Sequence, residues 1–149
     1  MPKNLTAQKK TNEDILRIAI FILFDASVFH EALAAANARV PSLRDATGSK
    51  QSFLVSEWKR ITDDINYVPV FSLARDVLSA FPSSPDTEII LQKIIDGAID
   101  VLSSGVLFRH DFMGRLYHRL LLGTTRHYYA TYYTSIPAAW LLANLSLKT

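Results

Sequence analysis

The chain has 149 residues, of which 49% are hydrophobic, 20% charged and 11% aromatic, a composition that excludes an intrinsically disordered protein. It has no cysteine, which excludes disulfides and thiolate metal sites. The net charge of +2 is unevenly spread: residues 1–106 carry 11 Lys and Arg against 13 Asp and Glu, whereas residues 107–149 carry five against one. A basic end suggests a polyanionic partner, and a solvated basic face is the alternative.

The N-terminal part of the chain predicts one long helix. Residues 1–10 are polar and expected to fray. Thr11, followed three residues later by Asp14, has the pattern of a helix cap, so the helix is predicted at residues 11 to about 37. Residues 18–24 are apolar nearly all round, which predicts burial between other helices. Because this run is far shorter than the roughly 20 residues that span a bilayer, we expect a core helix and no membrane contact. The lack of cysteine fits a reducing compartment, so we expect a cytoplasmic protein.

The middle of the chain predicts two helices. The first covers residues 50–65, and its apolar positions recur on one face at Leu54, Trp58, Ile61 and Ile65. The second begins at Pro69, because proline lacks the N–H that a first turn leaves unbonded, and ends near residue 81. Asp63 and Asp64 resemble a paired-carboxylate site. Since neighbours on a helix diverge by about 100°, they are expected on the surface instead.

A fourth helix is predicted at residues 87–103, after a loop rich in proline and serine at residues 81–86. Asp86 or Thr87 is expected to cap it. Gly97 in its middle costs about 1 kcal/mol relative to alanine, and it is expected to let another helix approach closely. Since no strand alternation and no internal repeat occur, the predicted fold class is all-α, a helical bundle of about five to six helices.

The histidines do not predict a metal site. None of the four forms a His-x-x-x-His pair, and His30-Glu31 lacks the second histidine of a zinc-protease helix. With no cysteine to complete a ligand set, ordinary surface or core histidines are expected. No metal ligand and no catalytic residue is therefore predicted.

The C-terminal region begins with a basic amphipathic helix at about Asp111. Arg115 and Arg119 share the face opposite its apolar row, and Arg126 follows in the same basic segment. Guanidinium groups match phosphate oxygens, so these three arginines are the predicted DNA-binding residues. The alternative is a solvated face with an Asp111–Arg115 pair worth a few tenths of a kcal/mol.

A tyrosine-rich loop follows this helix, with four of the six tyrosines in residues 128–133. Such a run fills a core or forms a wall against which a flat ligand lies. Read together, the two segments give Asp111-x-x-Gly114-x-x-Tyr117-x-x-Leu120 and then Tyr132-Tyr133-Thr134. This order resembles the region just before the catalytic core of adenine-specific (N6) DNA methyltransferases of restriction–modification systems. That family has a D-x-x-G-x-x-Y-x-x-L helix, then Tyr-Tyr-Thr-Pro, then a helix.

The chain departs from that family at two places. Ser135 and Ile136 precede Pro137, whereas the family usually has proline directly after the threonine. Ala130 and Thr131 stand where the family tends to have glycine, which permits backbone angles that these residues resist. The detailed geometry of the loop is therefore not carried over from the family.

The resemblance implies roles for the tyrosine-rich loop. Tyr132, Tyr133 and Thr134 would form one wall of an S-adenosylmethionine pocket in the parent enzyme. That enzyme would methylate N6 of an adenine flipped out of the DNA duplex. The implied division is an N-terminal helical domain at residues 1–122, and the start of a truncated S-adenosylmethionine-binding domain at residues 123–149.

The chain lacks the motifs with which the family does its chemistry. It has no Gly-x-Gly and no Asn/Asp-Pro-Pro-Tyr/Phe sequence, so by itself it is expected neither to methylate DNA nor to bind the cofactor. It resembles the N-terminal helical piece of a larger methyltransferase. The expected partners are DNA, through the parent enzyme, and the catalytic domain or other restriction–modification subunits. Self-association is expected through an apolar C-terminal helix that lacks its natural partner.

Two other functions fit the same residues. One is a stand-alone helical module that binds another protein through Tyr128 to Tyr133. The other is a small helical DNA-binding protein that uses Arg115, Arg119 and Arg126, although no helix-turn-helix signature supports it.

Overall fold

The computed structural model describes the backbone of residues 3–105 and the side chains of residues 11–105. The α-helices in this part of the chain are α1 (Lys3–Ala36), α2 (Lys50–Asp64), α3 (Val68–Ala80) and α4 (Pro85–Ser103), and a short 3-10 helix, Leu43–Asp45, lies between α1 and α2. Every regular element of residues 3–105 is helical, so the predicted all-α class is confirmed there. The predicted methyltransferase ending and the boundary at residue 122 lie outside the described residues.

The chain divides into two compact units. One is Ile18–Ser104, and the other joins Met1–Arg17 to Gly105–Thr149. The first unit has a core built around Trp58 and Phe71, which are its largest fully buried side chains. The ring centroids of these two residues lie 6.0 Å apart, and the ring of Phe29 lies 5.8 Å from that of Phe71. One aromatic cluster therefore joins α1, α2 and α3.

Helix α1 begins earlier than predicted. It starts at Lys3, and Thr11 and Asp14 lie inside it, so the prediction that they cap the helix was wrong. The preceding residues contain no proline after position 2 and no glycine, and several are good helix formers. The continuous apolar stretch is also less buried than predicted, because only Leu23 among residues 18–24 is buried and the others are half-buried.

By length and composition alone, α1 is able to cross a bilayer. An 18-residue window within Thr11–Ala36 has a mean hydropathy of 1.8, and 33% of it is buried inside the protein. The core helix of a soluble protein passes the same test. The buried Ser27, His30 and Glu31 lie in this segment, and each has a hydrogen-bond partner within the Ile18–Ser104 unit. These contacts favour a core helix, while the absence of membrane contact stays a prediction.

The other helices lie close to their predicted bounds. Helix α2 ends one residue before the predicted residue 65, and Pro69 is in the first turn of α3. Helix α4 begins at Pro85 and is capped by Ser84, whose hydroxyl accepts a hydrogen bond from the backbone N–H of Thr87. The predicted cap at Asp86 or Thr87 was therefore wrong, because Pro85 already occupies the first helical position, where no N–H is needed.

Two smaller predictions are confirmed. Asp63 and Asp64 are exposed at the end of α2, and Asp63 forms an ion pair with Lys59 one turn earlier. A Cβ atom added to Gly97 would lie 3.3 Å from Cε2 of Phe24. Helix α4 therefore packs closely against a side chain of α1 at this glycine, as predicted.

The turn between α2 and α3 passes through the left-handed region at two residues that are not glycine. Asn66 has a φ of 91° and Tyr67 a φ of 70°. Asparagine tolerates this conformation, but tyrosine adopts it at a cost of about 1–2 kcal/mol. The ring of Tyr67 packs edge-on against Phe29 at 5.1 Å, a contact that helps to hold the turn in place.

Candidate functional site

The residues that the sequence singles out for function all lie outside the described part of the chain. They are Arg115, Arg119 and Arg126, predicted to bind DNA, and Tyr132, Tyr133 and Thr134, predicted to line a cofactor pocket. The described residues contain two other polar arrangements, which the sequence did not reveal. One lies around the buried His30, and the other lies at the N-terminus of α2.

His30 is fully buried, and both of its ring nitrogens are bonded. Nε2 lies 2.9 Å from the carbonyl oxygen of Pro41, and the indole Nε1–H of Trp58 donates to Nδ1 over 3.1 Å. A carbonyl oxygen only accepts and an indole N–H only donates, so the ring is neutral with its proton on Nε2. We call this the His30 relay: Trp58 to His30 to Pro41.

The protein environment favours this neutral form. Burial lowers the pKa of His30 below its ordinary value. The hydrogen bond to Pro41 and the charges of Glu31 and Glu57 act in the opposite direction, and the charge of Arg60 adds to the lowering. Because both nitrogens are engaged and no ring atom is open to solvent, the imidazole has no free position for a substrate or a metal ion. His30 is a core histidine, one of the two ordinary kinds expected from the sequence.

Glu31 makes a second connection beside the relay. It is only 8% exposed, and its two carboxylate oxygens accept hydrogen bonds from the Ser42 hydroxyl and the Leu43 backbone N–H. Both hydrogen bonds are 2.8 Å long. Ser42 in turn accepts from the backbone N–H of Arg44 and caps the 3-10 helix. A buried carboxylate is tolerated only when such bonds replace water, and here they order the chain that follows α1.

Glu88 of α4 caps the N-terminus of α2. Its carboxylate accepts hydrogen bonds from the Ser49 hydroxyl and the Lys50 backbone N–H, both 2.6 Å long. It also accepts a hydrogen bond of 3.3 Å from the Gln51 backbone N–H. Partial loss of hydration raises the pKa of the Glu88 carboxyl, but these hydrogen bonds and the nearby Lys50 charge outweigh it and hold the pKa below its ordinary value. The positive end of the α2 dipole favours the same ionised form.

Gln51 extends this junction to a third helix. Its side-chain amide donates hydrogen bonds of 3.1 Å to the carbonyl oxygens of Leu78 and Phe81, at the C-terminal end of α3. Its side-chain carbonyl oxygen accepts a hydrogen bond of 2.9 Å from the hydroxyl of Ser83, in the loop before α4. The start of α2, the end of α3 and the start of α4 are therefore tied together by two side chains, Gln51 and Glu88.

A surface depression of about 480 Å³ lies beside this junction and is widely open to solvent. It is lined by Gly48, Ser49, Lys50, Glu88, Ile89 and Gln92. A free helix N-terminus would suit a phosphate group. Here the Glu88 carboxylate already takes the backbone N–H groups of Lys50 and Gln51, so these donors of the helix end are occupied and do not form an anion site.

The described residues contain no candidate set of metal ligands, because no group of three or more His, Cys, Asp or Glu side chains converges there.

No protein-family model matches the chain, and no curated protein or solved structure shows significant similarity to it. The resemblance carried by residues 111–134 therefore stays a prediction from the sequence. In the described part of the chain, the hydrogen bonds of His30, Glu31, Gln51 and Glu88 join different segments of the fold.

We predict that Glu88→Gln lowers the free energy of unfolding at pH 7 by roughly 0.5–1 kcal/mol, a value reduced for the partial exposure of the carboxylate. The amide keeps one acceptor oxygen but loses the charge. Because the folded pKa is depressed, the ionised carboxylate stabilises the protein above its unfolded pKa, near 4.5, and this contribution is lost as the pH falls. Urea unfolding at neutral and acidic pH measures both effects.

The control is Asp76→Asn, which removes one carboxylate at an exposed position of α3. It is expected to leave the free energy of unfolding within about 0.5 kcal/mol of the unsubstituted chain. Equal stabilities of Glu88→Gln and Asp76→Asn at pH 7 would show that Glu88 does not stabilise α2.

Proposed function

We propose that this chain is the N-terminal helical part of an adenine-specific (N6) DNA methyltransferase of a restriction–modification system. In this proposal the helices before residue 123 support the catalytic domain and contact DNA or a partner subunit. Residues 123–149 are the first segment of the S-adenosylmethionine-binding domain. The parent enzyme transfers a methyl group from S-adenosylmethionine to N6 of a flipped-out adenine.

One observation carries the proposal, namely the order of two motifs. The order Asp111-x-x-Gly114-x-x-Tyr117 in a basic segment, followed by Tyr132-Tyr133-Thr134, resembles that of the family. Each motif alone is short, and the pair in this order is more specific than either. The all-helical character of residues 3–105 is compatible with a supporting module, although fold class alone does not establish function.

Charge supports the DNA part of the proposal. Residues 107–149 contain five Lys and Arg and only one acidic residue, Asp111, whereas the preceding residues are slightly acidic. In the proposed division of labour, Arg115, Arg119 and Arg126 contact phosphates and supply affinity without reading sequence. Tyr133 offers a flat face and Thr134 a hydroxyl to the cofactor in the parent enzyme.

The main rival is a stand-alone helical module that binds another protein through Tyr128 to Tyr133. The described part of the chain gives it some support, because large apolar side chains are exposed there. These include Ile15 at 59%, Leu73 at 50% and Ile89 at 55% exposure. Single exposed apolar residues are common on soluble proteins, so this observation is weaker than the ordered pair of motifs.

We predict that the 149-residue chain binds duplex DNA weakly, without sequence preference, and that binding fades as salt is added. Few cations are available, and the affinity follows the number of phosphates neutralised. Replacing Arg115 and Arg119 together by Gln should reduce the slope of log affinity against log salt by about 2. Fluorescence anisotropy over a salt series measures the slope.

A matched control for this experiment is Arg44→Gln, which removes an exposed cation from the described part of the chain, where its guanidinium bonds to Ser103. It should leave the salt slope unchanged. Tight binding of the unsubstituted chain to one sequence would contradict the proposed division of labour. A loss of slope of about 1 in Arg44→Gln, which removes one cation where the double variant removes two, would contradict it as well.

We also predict that in the full-length parent enzyme Thr134→Ala weakens S-adenosylmethionine binding by roughly 1–3 kcal/mol, because a buried hydrogen bond is lost. Thr131→Ala makes the same chemical change in the same loop outside the matched motif, and is expected to leave the affinity unchanged. Titration calorimetry on both variants measures the difference. If Thr134→Ala binds the cofactor as tightly as Thr131→Ala does, the tyrosine-rich loop is a packing element. That result would favour the alternative of a stand-alone protein-binding module.

A further inference from the structure

Helix α3 contains more apolar residues than its packing uses. The polar residues among its 13 are Ser72, Arg75, Asp76 and Ser79. Its buried side chains, Phe71, Ala74 and Leu78, recur after three and four residues and lie on one face. This face carries the contact between the rings of Phe71 and Trp58. Since a helix that is apolar almost all round is expected to be covered on more than one side, the rest of its surface needs a partner.

A second apolar row runs along the other side of α3. It consists of Val70, Leu73, Val77 and Ala80, and we call it the α3 seam. Spacings of three, four and three residues keep the row on one side of the helix, as in pairs of packed helices. Leu73 lies about 200° around the helix from the buried Phe71. It is 50% exposed, Ala80 is exposed, and the two valines are half-buried.

No other described helix covers the centre of the seam, where Leu73 is open to solvent. Among the described helices, α3 packs most extensively on α2, and it does so through the face of Phe71. Isolated exposed apolar side chains are common on soluble proteins, but a continuous row of them marks an interaction site. The α3 seam is such a row, and it has the spacing that a second helix requires.

Asp76 gives the seam a charged edge. It is exposed, and it lies one turn after Leu73 and one turn before Ala80. The ion pairs of the described residues are Lys59–Asp63 and Glu57–Arg60, so Asp76 is in neither. Arg75, its neighbour in the chain, points about 100° away around the helix. The carboxylate of Asp76 is therefore placed to attract a cation from whatever covers the seam.

This charge decides between the possible occupants. If a second copy of the chain used the same seam about a twofold axis, the two Asp76 side chains would approach each other, because residue 76 lies near the middle of the row. Like charges in that arrangement repel. An apolar row edged by a carboxylate is equally unsuited to the phosphates of DNA. A helix with a lysine or arginine beside its own apolar row complements both features.

We propose that the α3 seam is the docking site for an amphipathic helix of a partner protein, with an apolar row on the seam and a lysine or arginine facing Asp76. The partner helix buries Leu73 and completes the ion pair that Asp76 lacks within the described residues. The site belongs to α3, so it does not depend on the methyltransferase resemblance of residues 111–134.

Two labelled synthetic helices of about 21 residues, added to the 149-residue chain, test the site by fluorescence anisotropy. Both carry leucine in the heptad row, and the flanking positions are lysine in one and glutamate in the other. The lysine peptide is expected to bind about fivefold more tightly, because an ion pair replaces a like-charge contact. Asp76→Lys is expected to reverse the preference. No binding of the lysine peptide up to about 1 mM, or an unchanged preference in Asp76→Lys, would overturn the proposal.

The matched pair of variants is Leu73→Asp and Ser79→Asp. Each adds one carboxylate to α3 at an exposed position, but only the first lies in the seam. Leu73→Asp is expected to weaken binding of the lysine peptide by about tenfold or more, because it puts a charge at the centre of the apolar contact. Ser79→Asp is expected to change the affinity by less than about twofold. Equal affinities of the two variants would place the peptide elsewhere and overturn the proposal.

Sedimentation of the chain alone distinguishes the other occupant. A dimer that Leu73→Asp dissociates and Ser79→Asp does not would show that a second copy covers the seam, and it would also overturn the proposal. Should Leu73→Asp not fold, the reversal of preference in Asp76→Lys decides between the outcomes, because that substitution is at an exposed position.

Discussion

The hydrogen-bonded relay from Trp58 through His30 to the Pro41 carbonyl is the constraint on which the described unit depends. It lies where α1, α2 and residues 37–46 meet, and both ring nitrogens and the indole N–H have hydrogen-bond partners within the protein. Each of these groups, if left buried without a partner, would cost about 1–3 kcal/mol. The three segments must therefore come together in one arrangement. Close packing of Trp58 on Phe71 and of Phe71 on Phe29 continues that arrangement into α3.

Local patterns in the sequence were enough to predict the helices but not the polar contacts. Leu54, Trp58 and Ile61 recur at helical spacing and are all fully buried, and Pro69 lies in a first turn as predicted. The bond between Trp58 and His30 joins residues 28 apart, and no local pattern indicates which partner a core histidine will find. The only hint was a His-Glu pair within an apolar helix. A buried polar pair there requires partners from elsewhere in the fold.

The polar groups of the described unit serve its own cohesion, which bears on the proposed function. Glu31 orders the segment between α1 and α2, and Gln51 and Glu88 hold α2, α3 and α4 at one junction. Their hydrogen-bonding capacity is largely used within the protein. This is compatible with the proposed supporting module. In that proposal the DNA and cofactor contacts belong to the basic, tyrosine-rich segment from Asp111 onward. That assignment rests on the sequence resemblance, because residues 106–149 lie outside the described part of the chain.

The measurement that most directly tests the central role of the relay is a double-mutant cycle with Trp58→Phe and His30→Leu, read by urea unfolding at pH 7. Trp58→Phe leaves Nδ1 of His30 without its donor, and His30→Leu leaves the Trp58 indole N–H without its acceptor. The Pro41 carbonyl loses its partner both in His30→Leu and in the double variant, so that cost cancels from the cycle. We predict that the two single destabilisations together exceed that of the double variant by about 1 kcal/mol or more. Destabilisations that simply add, within about 0.5 kcal/mol, would contradict it and would make Trp58 and His30 ordinary packing residues.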